Sequence, residues 1–395
     1  MSILAPTAPL APATARDGIR VMVVDDSVVV RSLVSRWIGE TEGLTLVSAL
    51  RNGREALERL DADKPDVVVL DVEMPELDGI STLPLLLQRR RDLIVIMASA
   101  LTRDHAEVTL KALALGAADY VPKPEAEGGV ITSAAFQRDL IAKITALATP
   151  RMRRGRAAQG RGAIAPATRR MAGAIQRTGK WRTPESAAAP GKFPLRAYSQ
   201  VVPRVLLIGA STGGPQALNR LVAKLDAVTD AAPVLITQHM PATFTTILAE
   251  HLARASAKPA HEAVHGEPVL AGHIYIAPGG KHMRVERRDG TATVVLDDGA
   301  PVHFCKPAVD PLFASAAEVW GPWNLALILT GMGSDGALGA AEIAAAGGTV
   351  IAQDEATSVV WGMPGAAAEA GVCSAILPLD QIAPQVVRLF LGAKP

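Results

Sequence analysis

LIGASTGGPQAL, residues 207–218, sets an apolar run against Gly-Ala-Ser-Thr-Gly-Gly, followed by Pro215 and a helix-like stretch. A strand turning this tightly into a helix serves as a phosphate-cradling glycine loop, as a plain turn, or as the bend that holds a serine nucleophile. Around it, residues 203–389 alternate strand and helix patterns: RVLLIGAS and APVLITQHM, then HIYIAPGG, TATVVLDD, LALILTGMG and TVIAQD. That alternation predicts a doubly wound α/β domain. Residues 273–299, which contain Asp289-Gly290, predict an antiparallel hairpin inserted into it.

The phosphate-loop reading fails on spacing. GASTGG lacks the Gly-x-Gly-x-x-Gly pattern and the Gly-Lys-Ser/Thr ending, and the next strand ends in Gln238-His239, with no acid for a ribose. Gly209-Ala210-Ser211-Thr212-Gly213 does fit Gly-x-Ser-x-Gly between strand and helix. A serine hydroxyl needs a base within hydrogen-bond reach. His251 falls in a predicted helix, His261 and His265 in a polar connection, His273 at the far end of a strand, and His303 in a loop beside Cys305. His239 ends its strand on the edge where Ser211 emerges and is the first candidate; His282, after YIAPGG, is the second. LALILTGMGSDGALGA supplies an orienting carboxylate, Asp335, in a glycine-rich turn, although an Asp before a helix also serves as an N-cap. The Met332 N–H in that turn is a candidate oxyanion donor. The order Ser…His…Asp differs from the Ser…Asp/Glu…His of α/β-hydrolases.

Residues 19–148 form five further β–α units, predicting a five-stranded parallel sheet with helices on both faces. Its strands end in Asp25-Asp26, Asp71, Ser99 and a position near Lys123. Converging carboxylates repel one another unless a hard cation or an ammonium sits among them, and this oxygen-rich set suits Mg²⁺. A carboxylate beside Mg²⁺ can attack a phosphoryl group, with Ser99 and Lys123 placed to bind the phosphoryl oxygens.

At 395 residues the chain exceeds one typical domain. The divisions are a disordered tail at 1–18, a regulatory domain at 19–148, a flexible linker at 149–200 and a catalytic domain at 201–395. From Arg151 to Arg182 ten Lys or Arg residues occur with no acid, which leaves the rest of a net +1 chain at about −9. A solvated spacer accounts for this run; an acidic protein surface or anionic lipid would also suit it, whereas no nucleic-acid-binding motif accompanies it. Cys305 and Cys373 form no disulfide framework, which points to a reducing compartment. The proline-broken N-terminus lacks a basic n-region and no run is long enough to span a membrane, so a cytoplasmic, non-membrane protein is expected.

VVDDS, LDVEMPELDG, MASALT and DYVPKP resemble a response-regulator receiver domain with a flavodoxin-like fold. The resemblance implies Asp71 as phospho-acceptor, Asp25, Asp26, Asp71 and the Glu73 carbonyl as the Mg²⁺ site, and Ser99 with Tyr120 as the switch pair. IGASTGGP, TQHMP, YIAPGGKHM, LTGMGSDGA and VVWGMPGAA resemble the chemotaxis protein-glutamate methylesterase catalytic domain, whose usual partner on one chain is a receiver. This second resemblance implies Ser211 as nucleophile, His239 as base and then acid, Asp335 as its orienter, and help from Thr212 and the Met332 backbone. It implies methyl-accepting chemoreceptors as substrates, a chemotaxis histidine kinase as phosphodonor, and a catalytic domain without a cofactor. Glutamine deamidation by the same triad and a non-catalytic adaptor are the alternatives.

Overall fold

The computed structural model describes residues 18–123, 133–160 and 193–393. Residues 1–17 of the expected tail and 161–192 of the expected linker lie outside them. The chain divides into two compact units, Met1–Ala148 and Thr149–Pro395.

The first unit runs β1 (Ile19–Val24), α1 (Val28–Glu40), β2 (Leu44–Leu50), α2 (Gly53–Asp63), β3 (Val67–Asp71), α3 (Gly79–Arg89), β4 (Ile94–Ser99), α4 (Arg103–Ala114), β5 (Asp119–Pro122) and the greater part of α5 (Ser133–Gly160), which runs past the division at Ala148. All strands are parallel, in the order β2-β1-β3-β4-β5. β3 and β4 are apolar almost throughout and buried on both faces, as a sheet covered on both sides by helices requires. Helix starts are marked chemically: the side chains of Ser27, Asn52, Asp78 and Thr102 each accept the N–H of the residue three positions on. Each such cap contributes about 1 kcal/mol and fixes where a strand's exit loop ends.

Helix α5 continues to Gly160, so the segment expected to be a linker from 149 begins as helix. Arg is the commonest residue of that stretch, with Ala, Met and Gln beside Gly and Pro, so it has helix formers but not the apolar stripe that a periodicity search looks for. Phe136 of α5 meets Trp37 of α1 edge-on, with ring centroids 5.7 Å apart. Both rings are buried, so this contact fastens the last helix to α1. Phe136→Ala should destabilise the first unit by about 3–5 kcal/mol, read as an earlier unfolding transition of that unit in calorimetry.

The second unit comprises β6 (Val205–Ala210), α6 (Gly214–Val222), α7 (Asp226–Ala231), β7 (Val234–Gln238), α8 (Ala242–Ser256), β8 (Ala260–Glu262), β9 (Ile274–Ile276), β10 (His282–Arg288), β11 (Thr291–Asp297), α9 (Val309–Trp320), β12 (Asn324–Ile328), α10 (Ala337–Ala345), β13 (Thr349–Gln353), α11 (Met363–Glu369), β14 (Ala375–Leu377) and α12 (Leu379–Phe390). Seven of its strands form a parallel sheet in the order β14-β13-β12-β6-β7-β9-β8. Chain order reverses at β6, which lies between β7 and β12, and the carboxyl edge of such a reversal is where doubly wound sheets bind ligands.

The inserted hairpin is shorter than its sequence suggests. Only β10 and β11 pair antiparallel, and Asp289 and Gly290 both take positive φ (48° and 83°), the conformation of a tight two-residue hairpin turn. Ile274–Ile276 instead joins the main sheet parallel to β7 and β8. Three apolar residues do not reveal which sheet they complete.

Candidate functional site

In the second unit, strand register brings distant residues to one edge. Ala210 of β6 pairs with Gln238 of β7, so Ser211 and His239 are the next residues out of neighbouring strands. The His239 N–H donates to the Ala210 carbonyl, and the Gln238 side-chain amide donates to the Ser211 carbonyl. On the other side of β6, the Ser211 N–H donates to the Thr330 carbonyl just beyond β12. Gly331 closes the approach: a Cβ there would lie 2.9 Å from Ser211 Cβ. The turn carrying Met332 and Asp335 thus packs against the serine.

Ser211 is partly exposed, while Thr212 is buried with its carbonyl held by the Thr330 hydroxyl. The sharp bend lies at Gly213 (φ 77°), the residue before α6, and Ser211 is not among the positive-φ residues. The serine therefore sits just before a glycine turn and does not itself occupy a strained elbow.

His239 Nε2 lies 2.7 Å from Asp335 Oδ2. Asp335 does not cap the helix that follows it. Its carboxylate accepts the N–H groups of Val309 and Asp310, at the start of α9, and that of Gly336. Asp310 returns the contact by accepting the Gly339 N–H of α10. Burial alone would raise the Asp335 carboxyl; the His239 hydrogen bond and charge, with the helix N–H groups, hold it below the usual carboxylate range. Burial opposes charge on His239, but Asp335 and then Cys305 outweigh it and push the imidazole up to about 10.

The other His239 nitrogen, Nδ1, lies 3.4 Å from Cys305 Sγ, and among the described residues no hydrogen bond joins it to the Ser211 hydroxyl. The sequence offered no sign of Cys305 or Asp310, because both reach the site through tertiary packing from a loop and from the helix after it. His282, the second histidine candidate, is buried: its Nδ1 accepts the Ala308 N–H just before α9, and its Nε2 lies 3.0 Å from the Ala300 carbonyl. His261 lies in β8 and pairs with Glu267, and the His265 ring accepts the Leu296 N–H.

In the first unit, oxygens of Asp25, Asp26 and Asp71 all lie within 4.8 Å of one another at the edge where β1 and β3 meet. Lys123 Nζ takes one oxygen from Asp25 and one from Asp71, each at 2.7 Å. Asp26 is exposed, and the remaining oxygens form an all-oxygen donor set that fits a hard divalent cation such as Mg²⁺. Burial, together with the Asp25 charge and against Lys123, pushes the Asp71 carboxyl up to about 6. The Glu73 side chain is drawn to His105 Nε2, 2.8 Å away. Ser99 lies at the end of β4 with its hydroxyl accepting from Thr109 Oγ1, and Tyr120 is buried with Lys143 over its ring.

A parallel sheet with an acid–lysine pocket, carried on one chain with a parallel sheet whose switch point holds a serine and a His–Asp pair, defines a receiver-coupled hydrolase. The comparisons with known proteins agree. The response regulator receiver domain family matches residues 21–135 and the CheB methylesterase family matches residues 206–386. A protein-glutamate methylesterase/protein-glutamine glutaminase of Rhodopseudomonas palustris (strain BisB5) is 55% identical over 99% of each chain. A protein of the same name, of a group 2 operon, from Bradyrhizobium diazoefficiens is 58% identical over 95% of this chain and 94% of its own. The Thermotoga maritima CheB methylesterase catalytic domain is 39% identical over 48% of this chain and 100% of its own, with a TM-score of 0.46. The chain belongs to the protein-glutamate methylesterase/protein-glutamine glutaminase family. Among the described residues no helix is long and apolar enough to cross a membrane.

With burial pushing the Asp71 carboxyl up to about 6 from its ordinary 3.8, folding is penalised as pH rises from about 4 through 6. Asp71→Asn removes that penalty. In EDTA its stability relative to wild type should improve by about 1–3 kcal/mol between pH 4 and pH 7. Urea unfolding of the first unit measures this; a difference that stays flat with pH would mean that the carboxylate is not strained.

Proposed function

We propose that the chain hydrolyses glutamate γ-methyl esters on methyl-accepting chemoreceptors in the cytoplasm, under control of phosphorylation at Asp71. The observation that carries the reading is the His239–Asp335 contact at the strand end next to Ser211. A carboxylate accepts only, so Asp335 keeps the hydrogen on Nε2 and leaves Nδ1 as the basic nitrogen. In the neutral imidazole, reached once Nδ1 has given up its own proton, Nδ1 takes the Ser211 proton as Oγ attacks the ester carbonyl. Hydrogen bonds of this kind are often long without substrate and tighten in its complex. The oxyanion is met by backbone N–H groups of the turn at Met332, beside Thr212, and by the positive end of α6. The imidazolium, steadied by Asp335, then protonates departing methanol; water, deprotonated by the same base, attacks the acyl-enzyme carbonyl, and the Ser211 Oγ–C bond breaks to free the glutamate as Oγ takes its proton back.

In the first unit, Asp25, Asp26, Asp71 and the Glu73 carbonyl would hold Mg²⁺, which shields the charge of an incoming phosphoryl group. Asp71 accepts that group from a histidine kinase, Lys123 pairs with its oxygens, and Ser99 with Tyr120 reports it. Residues 19–148 regulate and residues 201–395 catalyse, joined through the basic segment. The paired name carried by the relatives favours glutamine deamidation as a second activity of the same triad, with ammonia as the product.

Ser211→Ala should lower methanol release from methylated receptors by about 10⁶-fold, and Asp335→Asn by about 10⁴-fold through loss of the required tautomer. Release that persists in Ser211→Ala would rule out the serine mechanism. Asp71→Asn should keep basal release and lose its stimulation by a small phosphodonor; stimulation that survives would remove Asp71 from the acceptor role.

A further inference from the structure

Cys305 lies beyond every role assigned above, yet its sulfur is the atom hydrogen-bonded to His239 Nδ1. The imidazole is nine-tenths buried and fixed from behind by Asp335, so its basic nitrogen is aimed outward at the thiol. Cys305 itself is partly exposed and therefore within reach of a small solute.

The loop holds the sulfur there by construction. Val302 and Cys305 exchange both backbone hydrogen bonds, closing a two-residue turn over His303 and Phe304. Both turn residues take positive φ (51° and 63°), which neither Phe nor His adopts without cost. His303 is tied to Asp310 by a 3.3 Å contact, so the turn is anchored to the same α9 start that holds Asp335.

We propose that Cys305 and His239 form a thiol–imidazole pair that makes Cys305 the chain's reactive thiol toward soft electrophiles, and that modifying it silences Ser211. The imidazole takes the thiol proton on Nδ1, and the sulfur lone pair attacks the electrophilic carbon. With an α-haloamide an S–C bond forms, the C–I bond breaks, iodide leaves, and the proton stays on His239. That proton then exchanges with solvent, but the adduct fills the space in front of Nδ1 and keeps the Ser211 hydroxyl from reaching it. This second half rests on the esterase reading; the first half does not.

Cys373 provides an internal reference, being fully buried with its thiol pushed up to about 12. The full-length chain is treated with iodoacetamide at pH 6 and both cysteines are followed by peptide mass spectrometry. Cys305 should alkylate at least about tenfold faster than Cys373 and about tenfold faster than free N-acetylcysteine. His239→Gln should slow Cys305 by about tenfold while Cys373 stays protected, which also reports that the variant is folded. A Cys305 rate equal to that of N-acetylcysteine in the wild-type chain overturns the pair whether or not the variant folds. Methanol release measured on the same samples should fall in step with the Cys305 adduct. Release that survives complete alkylation overturns the silencing. A chain that releases no methanol before treatment fails the esterase reading and leaves the labelling result standing.

Discussion

A carboxylate taken out of water costs several kcal/mol unless donors surround it, and the Asp335 carboxylate has four: the N–H groups of Val309, Asp310 and Gly336, and His239 Nε2. Three of these are backbone groups fixed by secondary structure, so the anion is held before any substrate arrives. The start of α9 supplies two N–H groups that would lack helical partners, and a neighbouring anion satisfies them. Asp310 makes the reverse contact to Gly339, so α9 and α10 each complete the other's first turn. Displacing Asp335 would release the imidazole and loosen both helices together.

Asp335 and Asp71 are both buried carboxylates, yet they shift in opposite directions. Asp71 faces Asp25 across a shared lysine, and that single ammonium does not offset burial and repulsion. Asp335 also has an acidic neighbour in Asp310, but backbone dipoles and an imidazole outweigh it. The contrast follows the chemistry each site is suited to. Asp71 is left short of donors, and a further cation there would relieve it, whereas Asp335 is fully satisfied as an anion.

Much of this was legible in the sequence because doubly wound sheets place their chemistry at strand ends. Val67–Asp71 and Val234–Gln238 are short apolar runs with a polar residue at or just past the end, and period and position together mark both the strand and the site. Asp335 was legible as a carboxylate near the serine, but which helix it caps was not, since α9 and β12 separate Val309 from it along the chain. Cys305 contacts His239 from a turn 66 residues away. Its sequence neighbours carry no periodicity, and the positive φ of His303 and Phe304 contradicts their residue preferences. Residues 274–276 read as part of the hairpin for the related reason that a three-residue strand carries too little pattern to specify its partner.

The glycines around Ser211 bear on why this edge supports a serine and not a phosphate. In a phosphate loop, glycines free backbone N–H groups to surround an anion. Here they bring segments close together. A Cβ at Gly209 would meet Val309 Cγ1 at 2.5 Å, and one at Gly213 would meet Val359 at 2.6 Å. Gly331 plays the same part opposite Ser211 itself. Gly209 therefore sets how near α9, with Asp335 on its first turn, comes to β6, and Gly331 sets how near the Met332 turn comes to the serine. The close approach of Ser211, the Met332 turn and the start of α9 thus depends on missing side chains in two segments more than a hundred residues apart.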